Sequence, residues 1–217
     1  MEHLLAASYL VVDNLLVEID GGDIPFFTFR QFLAQFHMAG IVSQEAPRTT
    51  FALAGTLRIE GTEGQWIEMM PCEGLVLDYS VDFTAKSPAV GKQRFSLEVG
   101  TERFLTEISD ARTIYFDEWR RFITSIYKKV PYSEESLAWT LAATSEGYLN
   151  AGENAPRYVV EGVSQEVVRH KIGDLLGELS LLGGVLKARI RVHRGGHSFI
   201  ILALERLRRS GLLVKLQ

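Results

Sequence analysis

Along the chain the spacing of apolar residues switches between the helical period of about 3.6 and the strand period of 2. "EHLLAASYLV", with Val12 just beyond it, sets Leu4, Leu5, Tyr9 and Val12 near helical spacing. "NLLVEID", Asn14 to Asp20, predicts a strand ended by Gly21-Gly22. "FTFRQFLAQFHMAGI" gathers Phe29, Phe32, Leu33 and Phe36 on one side of a helix that Gly40 would cap. From Thr49 to Val99 the period falls to two, and "TFALAGTLRIE", "QWIEMMP", "LVLDYSVDF" and "QRFSLEV" predict strands joined by glycine or proline turns. "TERFLTEIS" predicts a helix with Thr101 as its N-cap, and "DEWRRFITSIYKKV" another. "LAWTLAA" and "RYVVEG" predict short strands. "EVVRHKIGDLLGEL" then predicts a helix, "LKARIRVHR" an alternating strand, and the residues from His197 or Ser198 to Arg209 a last helix. No internal repeat is evident. The order of elements predicts an α+β fold in two parts, with the polar, proline-containing break "SQEAPR" between residues 1–45 and 46–217.

Composition narrows the function classes. With 217 residues, 47% hydrophobic and 23% charged, the chain can bury a sizeable core. A net charge of -4 argues against a nucleic-acid partner. The single cysteine, Cys72, excludes an intramolecular disulfide and fits a reducing, cytoplasmic compartment. No apolar run approaches the ~18 residues of a membrane span, and no basic leader is expected. "ERLRRSGLLVK" sets arginines against leucines, which suits a surface helix or a peripheral contact with a membrane or anion.

The chemistry concentrates in Glu166 to Leu179. Val168, Ile172, Leu175, Leu176 and Leu179 form its apolar side, while His170, Asp174 and Glu178 form an opposing stripe at i, i+4, i+8. A histidine and an aspartate one turn apart can give a metal two ligands from one helix; the same spacing also suits a solvated face with an internal hydrogen bond. Gly173 and Gly177 flank the stripe, each costing roughly 0.5–1 kcal/mol against alanine, so something bulky is expected to approach there. His197 follows Gly195-Gly196 at a helix start, where it can face an anionic centre or simply cap the helix. His37 is expected at a boundary or the surface, His193 in solvent, and His3 on a frayed terminus. Neither Gly-x-x-x-x-Gly-Lys-Ser/Thr nor a strand-linked Gly-x-Gly-x-x-Gly occurs, and Cys72 lacks a nucleophile's partners.

Taken together, "EHLLAA…VDNLLVEIDGGDIP", "AGIVSQEAPR", "LDYSVDF…PAVGKQRFSLEV", "ISDARTIYF", "VRHKIGDLLGELSLLGG" and "RGGHSFIILALERL" resemble, nearly end to end and in order, the zinc-dependent UDP-3-O-acyl-N-acetylglucosamine deacetylases of lipid A biosynthesis. The resemblance implies two sheet-and-helix sandwich domains, the first incomplete because family members carry a long segment before the Glu-His motif. It also implies an acylated UDP-sugar substrate and zinc held by His3, His170 and Asp174. Glu2 would be the general base, His197 the general acid, and Thr113 a donor to the oxyanion. Lys171 would lie near the substrate, and Glu178 stands where the family has an aspartate that orients the acid histidine. Gly173 and Gly177 would leave room for metal and substrate. The sequence departs from the family at a shortened loop after Pro25, at Ile114 in place of an aromatic, and at Ser198 to Ile200. A non-catalytic paralogue that keeps the metal or binds an acylated nucleotide sugar is the alternative.

Overall fold

The computed structural model describes residues 1–20, 28–117 and 134–216. Its fold is α+β. The central strand, β10 (Val185–His193), lies between β3 (Trp66–Pro71, antiparallel) and β4 (Leu75–Asp82, parallel), and its first residues pair in parallel with β1 (Thr50–Leu53). β2 (Leu57–Glu60) extends the sheet beyond β3, β5 (Lys92–Glu98) beyond β4, and β11 (Leu213–Lys215) beyond β1. Alternation decides which face is buried: Leu75, Leu77, Tyr79 and Val81 of β4 point inward with Leu186, Ala188, Ile190 and Val192 of β10.

On that inner face lies α5 (Glu166–Leu179), and α1 (Glu2–Val11) packs across it, with α2 (Phe29–Ala39) against α1. One apolar cluster joins residues from all three helices to the sheet. Tyr9 ties α1 to the sheet, its hydroxyl accepting the Leu186 N–H at 2.9 Å. Arg48 donates to the Tyr9 carbonyl and to Asp13. α2 ends at Gly40, whose φ of 85° is a conformation that side chains rarely adopt. Its Arg30 grips both carboxylate oxygens of Asp110 at 2.7 and 2.8 Å, just beyond α3 (Thr101–Glu107). β6 (Thr113–Phe116) and β7 (Thr140–Ala143) form a separate parallel pair, with α4 (Glu134–Trp139) leading into β7. β8 (Val159–Val160) and β9 (Val163–Ser164) make a short hairpin ahead of α5, and α6 (His197–Arg209) follows β10. Among the described residues no helix is long and apolar enough to cross a membrane.

Several expectations change. Asn14–Asp20 is exposed and forms no strand, because among the described residues no neighbour pairs its backbone. Gly100, not Thr101, is the N-cap of α3. "LAWTLAA" is divided: Leu137 to Trp139 finish α4 and only Thr140 to Ala143 are strand. Asn150 enforces that division, donating to the carbonyls of Leu137 and Thr140 and accepting the Ala142 N–H. In "RYVVEG" only the two valines pair. The basic tail is part helix and part strand, since Leu213–Lys215 joins the sheet. The helix expected in "DEWRRFITSIYKKV" and the loop after Pro25 lie outside the described residues, apart from Asp117 and Thr28 onward.

Candidate metal centre

The polar stripe of α5 is buried, not solvated: His170 is 2% exposed, and Asp174 and Glu178 are each 4% exposed. α1 and the Phe29 ring of α2 cover it, and the two glycines permit their approach. A methyl group at Gly177 would sit 2.3 Å from the Glu2 carbonyl oxygen, and one at Gly173 would sit 2.2 Å from the Phe29 ring. The space beside the glycines is thus filled by this chain's own backbone and ring. The expectation that it leaves room for metal and substrate is corrected.

Close docking of α1 carries His3 to the stripe. Its Nε2 lies 3.9 Å from Asp174 Oδ1, and the His170 Nε2 lies 3.3 Å from the same oxygen. The His3 and His170 rings meet edge to face at 4.9 Å, with the Phe29 ring 4.5 Å from His3. One ligand atom from each of His3, His170 and Asp174 lies within 4.8 Å of the others. Two imidazoles and a carboxylate are a donor set that suits a divalent metal, with a further position left for water or substrate. His3 is therefore placed in a helix against the cluster, contrary to the frayed terminus expected from its position alone.

His170 is oriented from behind, its Nδ1 3.3 Å from the Ala111 carbonyl, so Nε2 faces the cluster. Burial, with smaller contributions from its neighbours, lowers its pKa to about 4 and keeps the imidazole neutral near pH 7. Burial alone would raise the Asp174 pKa; the charges of His170, Lys171 and His197 outweigh it and bring that carboxyl well below its ordinary range. The Lys171 ammonium donates to Asp174 Oδ2 at 2.8 Å. Burial disfavours its charge, yet Asp174 holds the Lys171 pKa above the usual value.

On the opposite wall stands His197, at the first turn of α6, its side chain 46% exposed. Its Nδ1 is 2.8 Å from Glu178 Oε1 and 4.0 Å from Glu2 Oε1, and its Nε2 is 3.9 Å from Asp174 Oδ2. The Glu178 hydrogen bond raises the His197 pKa above its ordinary value, against the opposing effect of burial. Burial also raises that of Glu178, tempered by His197. The capping-only reading of His197 gives way to this pairing.

Seven of the eight residues expected to carry chemistry are thus contiguous: Glu2, His3, His170, Lys171, Asp174, Glu178 and His197. Thr113 opens β6 two residues after Ala111, and among the described residues no hydrogen bond joins it to the cluster. His37 is exposed as expected. His193 is half-buried, bonded to Ser80 Oγ at 2.9 Å and stacked on Trp66, not free in solvent. Sequence reading missed a buried ion pair that holds the start of α5. Arg112 Nε meets Glu166 Oε1 at 2.7 Å with both side chains fully buried, and the Arg112 N–H donates to the same oxygen. No sequence signal marks it, since its partners are 54 residues apart.

Residues 1–209 match the model of the UDP-3-O-acyl N-acetylglycosamine deacetylase family. Curated relatives named UDP-3-O-acyl-N-acetylglucosamine deacetylase include one from Oleidesulfovibrio alaskensis, 32% identical over 201 residues, covering 91% of this chain and 62% of the relative. Those of Brucella ovis and Brucella canis are 32% identical over 204 residues, covering 91% of this chain and 66% of theirs. The chain thus spans less than two thirds of the length of these relatives.

Proposed function

Because the chain belongs to the UDP-3-O-acyl N-acetylglycosamine deacetylase family, we propose that it is a zinc-dependent hydrolase. Its reaction removes the N-acetyl group from a UDP-3-O-acyl-N-acetylglucosamine on the route to lipid A. One observation carries the reading: three ligand atoms converge within 4.8 Å, and the carboxylate-paired His197 stands 3.9 Å from one of the ligands.

In this reading His3, His170 and Asp174 hold zinc, which supplies the Lewis acidity that makes water a nucleophile near neutral pH. Glu2 takes a proton from the attacking water, whose oxygen adds to the amide carbonyl carbon. Thr113 donates a hydrogen bond to the oxyanion that forms. His197 gives a proton to the amide nitrogen as the carbon–nitrogen bond breaks, releasing acetate and leaving a free amine. Glu178 holds Nδ1 of His197 and so turns its Nε2 toward the reacting centre. Lys171 keeps Asp174 ionised and lies near the substrate. The reading also places the protein in the cytoplasm, where the free Cys72 thiol stays reduced.

The test is acetate release from UDP-3-O-acyl-N-acetylglucosamine by protein as purified, after chelation, and after zinc is restored. The proposal expects activity, its loss and its return. Protein that holds a full equivalent of zinc yet releases no acetate would instead be a non-catalytic binder.

A further inference from the structure

The turn that delivers His197 is anchored from a strand outside the ligand cluster. Tyr79 of β4 is 2% exposed, and its hydroxyl donates to the Gly195 carbonyl at 2.5 Å. The next strand residue supports the same turn: the Ser80 carbonyl accepts the Arg194 N–H at 2.8 Å, and Ser80 Oγ donates to the Val192 carbonyl at 3.1 Å. Arg194 itself adopts a φ of 53°, so the chain reverses sharply there.

Beyond Arg194 come two consecutive glycines, the pair with the most conformational freedom to lose. Gly195 is required by the closeness of the packing. A methyl there would lie 2.6 Å from Val192 Cγ1, 2.9 Å from Ile200 Cδ1 and 3.1 Å from the Tyr79 hydroxyl. A methyl at Gly196 would meet nothing within 4 Å, and its carbonyl accepts the Ile200 N–H at 3.0 Å, so the Gly195 anchor sets where α6 starts relative to the strand. His197 is the first residue of that helix, and its imidazole must reach Glu178 and face Asp174.

We propose that Tyr79 is a positioning residue, whose hydroxyl pins the Gly195 carbonyl and thereby fixes where His197 stands relative to Glu178 and Asp174. The pin works through the Gly195 backbone. A phenylalanine would fill the same space and remove only the donor. The kinetic part of the inference rests on the deacetylase reading; the mechanical part does not.

The experiment uses the full chain loaded with zinc, comparing wild type with Tyr79→Phe, Gly195→Ala and the double variant. Amide order parameters of Gly195, Gly196 and His197 should fall from about 0.85 to below about 0.6 in Tyr79→Phe. Its kcat should drop roughly tenfold to a hundredfold, the scale for a misplaced catalytic group, with KM and zinc content unchanged. Gly195→Ala, whose methyl would press on Val192, Ile200 and the Tyr79 hydroxyl, should also lose order and kcat, and the double variant should lose less than the sum of the two because both disturb the Tyr79–Gly195 contact. Unchanged order parameters in Tyr79→Phe, or a lowered Tm with wild-type kcat, would overturn the proposal and leave Tyr79 a packing residue. Should the wild type itself release no acetate, the deacetylase reading fails on its own, and the order parameters still decide whether Tyr79 pins the turn.

Discussion

His197 Nδ1 and Glu178 Oε1 lie 2.8 Å apart, joining the first turn of α6 to the last turn of α5. This bond is the main reason that the His197 pKa stands above its ordinary value. In the proposed mechanism His197 acts in its protonated form, so the raised pKa would carry activity to higher pH. Glu178→Gln removes the carboxylate, lowers that pKa, and should move the alkaline limb of the pH–rate profile to lower pH. An alkaline limb that stays in place would separate Glu178 from the acid's titration. His197→Ala should cut turnover by roughly 10²–10⁴-fold.

Metal content should divide the cluster into ligands and non-ligands. His170→Ala and Asp174→Ala each remove a donor and should lower zinc well under one equivalent by elemental analysis. His197→Ala should keep a full equivalent. In wild type, zinc at 100 times its dissociation constant should add roughly 2.7 kcal/mol of stability. The two ligand variants should lose that increment.

The metal-free protein should lose stability in mild acid. The His170 pKa is lowered by burial from 6.5 to about 4, so between those values the unfolded chain takes up a proton that the folded chain refuses. Stability from this residue is full above pH 6.5 and declines as pH falls toward 4. At ~1.36 kcal/mol per pKa unit the loss is on the order of 3 kcal/mol. Urea midpoints between pH 7.5 and 4 should show it, and His170→Gln should flatten the difference.

Gly177→Ala tests the helix contact that brings His3 to the cluster. The added methyl would sit 2.3 Å from the Glu2 carbonyl oxygen, so α1 must move away. Overpacking of this kind costs about 1–3 kcal/mol. Zinc affinity, read by competition with a chromogenic chelator, should fall at least tenfold if a displaced His3 is a ligand. Unchanged affinity would remove His3 from the ligand set.

Glu166→Gln should be the most destabilising single-charge change of these. It leaves the fully buried Arg112 guanidinium without its anion, and also weakens the bond from the Arg157 N–H to Glu166 Oε2. Breaking one partner of a buried pair costs about 3–5 kcal/mol. Chemical denaturation at constant pH measures it.

The local part of the site was legible in the chain itself. Period 3.6 placed Glu166–Leu179 and His197–Arg209 as helices, and helix geometry alone puts His170, Asp174 and Glu178 on one stripe. The glycines announced a close approach on that stripe. Family resemblance named seven residues that prove contiguous, though their separation in sequence conceals it.

What covers the stripe was left to tertiary packing, and that choice decides its chemistry. The same spacing would suit a solvated face; α1 docked over Gly177 and Phe29 docked over Gly173 make it a buried His–Asp pair joined by His3. Local periodicity also misread Asn14–Asp20 as strand, because a strand is completed by a neighbour's hydrogen bonds and not by its own pattern. "LAWTLAA" was divided by Asn150, and the start of α5 was anchored by Arg112, both through contacts that have no periodic trace. Helical stripes follow from 3.6-residue geometry within one segment; burial, pairing and metal convergence depend on which distant segments the core brings together.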